Sequence, residues 1–351
     1  MRIIEVTGGV DTHADSHMAA AVDQNGGLLG VESFPASETG FEGLLAWLVG
    51  FRPVKQIGVE GTGSWGVGLT RFLGDQEIVV VEVDRPNRQK RRKVGKSDPT
   101  DALAAARAAL SGEASVIPKG RNGPVEQIRV LMVARRSARQ QRIGSLNQLR
   151  HLVFTAPEEI RIRFKDRYKT RLVTEAANMR PHKGSDPVTY TTYLMIRNLA
   201  RRIKALNTEI AEIDEMLTGL IEDTAPELFD LYGVGVDTAA TLLVTAGDNP
   251  DRVSSEGSWA HLCGTTPLPA NSGKTTTKCR LNRGGDRQAN AALYRIVLTR
   301  MSSHEETRRY VARRRDKGLN TAEIMRCLKR YVARQTYKTL TPHDLKSWAG
   351  V

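Results

Sequence analysis

Lys96-Ser97-Asp98-Pro99-Thr100-Asp101-Ala102 is the stretch on which the reading of this chain turns. Asp98 and Asp101 are spaced i, i+3, so a helix presents both carboxylates on one face. Local chemistry predicts that helix. Asp98 suits an N-cap, Pro99 suits the first helical position, and residues 102–110 are nearly all Ala, Leu and Arg. Two acids at a helix start are ordinary capping chemistry. The approach to them supplies a second reading, because Arg85, Arg88, Lys90, Arg91, Arg92, Lys93 and Lys96 crowd it. A basic track running into a carboxylate pair suits a metal site at the end of a nucleic-acid path.

Outward from this stretch, towards the N-terminus, strands are predicted over 3–10, 18–22 and 28–34, with a hairpin turn at Gln24-Asn25-Gly26-Gly27. A helical pattern covers 41–48, a short buried strand 56–59, a second helix 67–73 and another strand 77–83. Strands alternating with helices imply an α/β sheet in a first domain over residues 1–123. Four acids then fall at element ends: Asp11, Glu60, Asp98 and Asp101. Sites in open α/β sheets form at strand ends. Carboxylates converging there bind hard divalent cations, expected to be two magnesium ions, with manganese as a substitute. His13 lies near Asp11 in the sequence but reads equally as a satisfied strand residue. Glu82 and Asp84 alternate with Val81 and Val83, which suits the solvent face of a strand.

Charge points the same way. Among 351 residues, 52 Lys and Arg outnumber 39 Asp and Glu, a formal charge of +13, and the pI is about 9.8. Such a balance expects a polyanion, and nucleic acid is the default. No apolar run approaches the roughly 20 residues that span a bilayer, and the first residues lack a signal-peptide pattern. Cys263, Cys279 and Cys327 form neither a zinc spacing nor a disulfide framework. The expected location is the bacterial cytoplasm, in association with the nucleoid.

The middle of the chain, 124–228, reads as a coiled-coil domain. Ile196, Leu199, Ile203, Leu206, Ile210, Ile213, Leu217 and Leu220 alternate spacings of three and four. A partner helix is predicted over 125–153, with a weaker seam through Ile128, Met132, Ile143, Leu146, Leu149 and Val153. Its Arg135, Arg136 and Arg139 read either as a solvated face or as nucleic-acid contacts. The basic insertion between them, 154–190, is expected to be irregular and to order on a nucleic acid. The seam closes either within the chain or across a dimer.

The last domain, 229–351, is predicted to be mostly helical. Residues 231–240, Leu-Tyr-Gly-Val-Gly-Val-Asp-Thr-Ala-Ala, read as a glycine hairpin leading into a helix, either a helix-hairpin-helix phosphate grip or a tight inter-helix turn. Ser272 follows in Asn271-Ser272-Gly273-Lys274. A serine there is either a turn residue or, among Lys274, Lys278, Arg280 and Arg283, a nucleophile towards a phosphodiester. Lys329, Arg330 and Arg334 fall on a helix with Ile324, Leu328 and Tyr331, and read either as nucleic-acid backbone contacts or as a solvated face.

Gly9-Val10-Asp11, Val59-Glu60, Lys96-Ser97-Asp98-x-x-Asp101-Ala102, Asn271-Ser272-Gly273-Lys274 and Arg283-Gly284-Gly285 together resemble the insertion sequence 110 family, the DEDD transposases also called bridge recombinases. The chain departs at Asp286, where relatives often carry asparagine. The resemblance implies a ribonuclease H-like (RuvC-like) first domain in which Asp11, Glu60, Asp98 and Asp101 hold the metal. It implies that Ser272 attacks DNA and forms a phosphoserine link. It further implies a structured guide RNA that pairs with donor and target DNA, and a homo-oligomer, a dimer or a tetramer, with a composite active site. The nucleic-acid contacts expected are Arg88, Lys90, Arg91, Arg92, Lys93, Arg135, Arg136, Arg139, Lys274, Lys278, Arg280 and Arg283. Three other readings stay open at this point. One is a metal-dependent junction resolvase or nuclease that uses water. Another is a non-catalytic RNA scaffold. The third is a sugar-kinase-like ATPase, for which Gly61-Thr62-Gly63 is a weak phosphate loop.

Overall fold

Small and apolar residues dominate the first two strands, and every residue of β1 (Val6–Thr12) is buried. A strand buried on both faces must lie inside a sheet covered on both sides. In the computed structural model, which describes residues 5–83, 97–182, 186–249, 252–269 and 279–340, β1 is the centre of a five-stranded sheet. β2 (Ser16–Val22) and β3 (Leu28–Pro35) follow it as an antiparallel meander. β4 (Val54–Glu60) and β5 (Val80–Val83) add in parallel on its other side. The order is β3-β2-β1-β4-β5. Arg88, Lys90, Arg91, Arg92, Lys93, Ser272, Lys274 and Lys278 lie outside the described residues.

One face of the sheet packs on α1 (Glu38–Phe51) and α2 (Val67–Asp75). Leu44, Leu48, Leu69 and Leu73 meet Val6, Val10, Ile57 and Val59 there in one apolar cluster. The opposite face takes α3 (Asp98–Ser111) through backbone contact. Gly9 of β1 pairs with Gly58 of β4. A Cβ on Gly9 would stand 2.0 Å from the Ala106 amide nitrogen, and one on Gly58 would stand 2.7 Å from the Ala105 carbonyl oxygen. The helix meets these glycines with Ala102, Ala105, Ala106 and Ala109, all buried. Small residues on both partners let helix and strand backbones touch. Gly9→Val is therefore expected to destabilise the protein by about 3 kcal/mol, since the close-packed layers must separate. Gly144→Ala should act oppositely. Its Cβ meets nothing within 4 Å, and the helix gains about 0.5–1 kcal/mol. Urea unfolding of both variants checks the pair.

The N-cap of α3 is Ser97, one residue earlier than the sequence indicates, with Asp98 and Pro99 in the first turn. The Ser97 carbonyl accepts from the Thr100 and Asp101 amides, each at 3.0 Å. The Asp98 carboxylate is turned towards the end of β1 instead of capping. Glu82 also departs from its solvent-face expectation. It is half-buried, and Thr62 Oγ1 donates to it at 2.8 Å.

The long helices α4 (Pro124–Thr155) and α7 (Pro187–Thr224) run antiparallel. Ala138 clusters with Leu206 and Ile210, and Leu149 clusters with Ile196 and Ala200. The buried stripe of α7 follows the expected heptads from Ile203 to Leu217, with Ala200 in place of Leu199 before it and Ile221 in place of Leu220 after it. The partner seam differs more. Ile143 is exposed, and Arg135, Ala138 and Ser145 are buried. Arg135 keeps the heptad phase of Ile128, Ala138 and Ser145 sit one position before that of Met132, and Ile143 falls off both. The basic insertion is not irregular in its described part. It folds as α5 (Glu158–Phe164) and α6 (Lys169–Ala177). Ile160, Phe164, Leu172, Val173 and Ala176 pack on Leu149, Ile196 and Ala200. The high charge hid a minority of apolar residues at helical spacing, and those residues are enough to dock two short helices.

In the C-terminal part, a 3-10 turn (Pro226–Leu228) and a bend with Gly233 at φ +82° lead into α8 (Val236–Ala246). α9 (Glu256–Leu262) precedes a two-stranded hairpin of β6 (Pro267–Pro269) and β7 (Cys279–Leu281). Three helices follow: α10 (Arg287–Ser303), α11 (Glu305–Asp316) and α12 (Thr321–Leu340). Asp286 is the N-cap of α10, accepting from the amides of Gln288 and Ala289 at 2.7 and 2.9 Å. The described residues form two units. The first holds those up to 126 together with 246–259, and the second those of 127–245 together with 260–340. No helix among the described residues is long and apolar enough to cross a membrane.

Candidate metal centre

Strand alternation positions the acids. Gly9 faces α3, so Asp11, two residues on, faces it too; Gly58 places Glu60 on the same side of β4. Thr12 Oγ1 donates to the Glu60 carbonyl at 2.8 Å, tying the two strand ends together. The glycine-alanine contact holds the first turn of α3 against this edge, and it brings Asp98 and Asp101 with it.

The close cluster is Asp11, His13 and Asp98, whose ligand atoms lie within 4.8 Å of one another. His13 Nε2 stands 3.3 Å from Asp11 Oδ2 and 3.5 Å from Asp98 Oδ1. The first contact is electrostatic, because Asp11 Oδ2 is buried and accepts no hydrogen bond. Asp11 is 6% exposed and Asp101 4%. Burial pushes the Asp11 carboxyl above its ordinary range; His13 pulls it back, and the charges of Asp101 and Asp98 push it further up. A buried carboxylate oxygen with no donor, beside two more carboxylates, is an arrangement that a hard cation relieves. The residues present therefore fit a divalent metal.

Of the four acids picked from the sequence, Asp11 and Asp98 come together and Asp101 acts on Asp11 through its charge. Glu60 is half-buried at the end of the neighbouring strand, outside the close cluster. His13 is the member that sequence reasoning left open. The available signal was its i, i+2 spacing from Asp11, which puts both on one strand face.

The basic residues divide. Arg135 is 8% exposed. It donates to Asp214 Oδ1 at 2.5 Å and to Asp237 Oδ1 at 2.7 Å. Its guanidinium is engaged inside the second unit, so it is not the surface contact expected of it. Arg135→Ala strands Asp214 in a half-buried setting and should destabilise by about 3 kcal/mol in thermal or urea unfolding. Arg136 is half-buried and Arg139 exposed, with Arg139 3.8 Å from Asp237. Arg280 and Arg283 are both exposed.

Comparison with known proteins decides the family. Residues 8–156 match the IS110-type DEDD transposase model, described as "Transposase". Residues 225–312 match "Transposase IS116/IS110/IS902 family". The two matches together cover more than half of the chain.

The chain belongs to the IS110 transposase family. One relative is the "Insertion element IS110 uncharacterized 43.6 kDa protein" of Streptomyces coelicolor. It is 29% identical over 153 residues, covering 42% of this chain and 37% of that protein. Another is the "Insertion element IS900 uncharacterized 42 kDa protein" of Mycobacterium paratuberculosis. It is 26% identical over 138 residues, covering 39% of this chain and 35% of that protein. The chain thus spans little more than a third of the length of the curated relatives it matches. Asp11, Glu60, Asp98 and Asp101 all fall within the first IS110 match, and Ser272, Arg280 and Arg283 fall within the second.

Proposed function

We propose that the chain is a site-specific DNA transposase that cuts and rejoins strands through Ser272, assisted by divalent ions held by Asp11, Glu60, Asp98 and Asp101. The observation that carries this reading is the meeting of Asp11 and Asp98 beside His13 at the end of β1, where a glycine-seated helix also brings the charge of Asp101 to bear on Asp11. The strand order β3-β2-β1-β4-β5, with acids at the ends of β1 and β4, supports a ribonuclease H-like domain. Magnesium, when bound, neutralises phosphate charge and favours the departing oxygen.

The chain's own residues divide the remaining work. The carboxylates offer hard oxygen ligands, and His13 beside them adds a nitrogen donor. Ser272 Oγ attacks phosphorus and gives up its proton; the P–O bond to one DNA strand breaks, and that oxygen leaves carrying a proton. The ester energy is retained in the phosphoserine, so rejoining needs no external fuel. Arg280 and Arg283 offset charge on the phosphate.

A structured RNA pairing with donor and target would leave the protein to read shape and backbone, a division the +13 charge supports. Assembly as a dimer or tetramer belongs to the same reading, with the α4–α7 seam as its coiled-coil element. The test is incubation with labelled donor and target DNA, RNA from the gene's flank, and Mg2+. Joined product and a DNA adduct that survives denaturation are expected. Free ends with no adduct would favour the water-using nuclease.

A further inference from the structure

The second unit carries a cleft of about 660 Å³ beside the β6–β7 hairpin. Arg280 of β7 lines it on one side; Arg326, Lys329, Arg330, Tyr331 and Arg334 of α12 line it on the other. No described lining residue is an acid. Arg326, Arg330 and Arg334 repeat at i, i+4, an arrangement in which like charges weaken a helix. A polyanion laid along such a stripe relieves that repulsion.

Lys329 stands between these arginines and is half-buried. Its Nζ donates to Asn290 Oδ1 at 2.9 Å. The Asn290 amide is fixed in turn, because Nδ2 donates to the Cys263 and Gly264 carbonyls at 2.8 and 3.2 Å. Among the described residues no carboxylate lies within ion-pair distance of Lys329. Burial, then Arg326, lowers its pKa. A positioned ammonium that is partly desolvated and lacks an acid is a seat for an anion.

Tyr331 supplies the second component. Helical spacing puts it with Ile324 and Leu328, which are buried, yet Tyr331 is 49% exposed. It stands edge-on to Tyr310 at 5.8 Å, and Arg313 and Arg314 lie over the Tyr310 ring at 5.7 and 5.8 Å. Tyr310 thereby props Tyr331 from the side while leaving it open to the cleft.

We propose that this cleft binds an unpaired nucleotide, with its phosphate on Lys329 and the flanking arginines and its base stacked on Tyr331. The inference rests on the reading of the chain as a nucleic-acid enzyme and names the form of strand it grips. A duplex would satisfy the cations but would offer no free base face to the ring.

The experiment measures binding alone, in EDTA, so the metal centre and Ser272 play no part. Fluorescence anisotropy compares a labelled single strand of about 12 nucleotides with the matching duplex, on the full chain. Lys329→Met should weaken both and flatten the salt dependence of binding. Tyr331→Leu should weaken the single strand about tenfold and leave the duplex unchanged, and Tyr331→Phe should restore the parental value. Parental single-strand affinity in Tyr331→Leu, equal loss on both probes, or no rescue by phenylalanine would each overturn the proposal. If strand transfer is later found absent while this pattern holds, the nucleotide site stands and the transposase reading fails.

Discussion

Asp11→Asn is expected to lower DNA strand cleavage by about 10³-fold or more while leaving the metal-free protein at least as stable as its parent. The first half follows from the several kcal/mol of transition-state charge stabilisation that a site metal contributes. The second half follows from the site's electrostatics. Asp11 is buried with Asp101 and Asp98 close by, and its carboxyl is held above the ordinary aspartate range. An acid raised in the folded state favours folding at low pH. That contribution is fully present below the ordinary range and is lost as pH rises through the raised value. The metal-free parent should show this slope, and Asp11→Asn should lack it. Magnesium reverses the sign, because it binds the deprotonated carboxylate, so its gain in Tm should grow with pH in the parent. Cleavage assays and Tm measured with and without Mg2+ read both halves. Parental cleavage in the variant, or an equal magnesium gain in both proteins, would remove the metal centre from the account.

Ser272→Ala should abolish strand joining and the covalent DNA adduct, a loss of about 10³-fold or more, with the magnesium-induced gain in Tm unchanged. Without the hydroxyl no phosphoserine can form, and water cannot conserve the ester bond for rejoining. The two substitutions therefore separate two roles: Asp11→Asn loses metal binding and cleavage together, and Ser272→Ala loses cleavage alone. Full joining activity in Ser272→Ala would establish water, or another side chain, as the nucleophile.

Much of the first unit was legible in the chain. Alternating apolar residues marked the strands, and Gln24-Asn25-Gly26-Gly27 marked the turn between β2 and β3. The alanine run after Asp98 marked α3. These signals are local, and backbone propensity with a period of two or 3.6 is enough to produce them. Charge density misled in the middle of the chain. Residues around Arg161, Arg163 and Arg167 read as irregular, yet Ile160 and Phe164 bury a helix there. Arg135 read as a surface contact and is an interior ion-pair partner of Asp214 and Asp237. No local pattern reveals that a cation has acids waiting on helices 79 and 102 residues away.

By itself the sequence determined the order and kind of the elements in the sheet domain, the excess of positive charge, and the acids available at the ends of β1 and β4 and the start of α3. The tertiary structure decided which of them meet. Gly9 and Gly58 let α3 lie directly on the sheet, which delivers Asp98 to Asp11 and places His13 between them. Tyr331 likewise became a cleft residue only when the helices packed. The physical reason is common to both. Propensity and period act over a few residues, whereas a metal site or a nucleotide cleft is assembled by close packing between segments far apart in the chain.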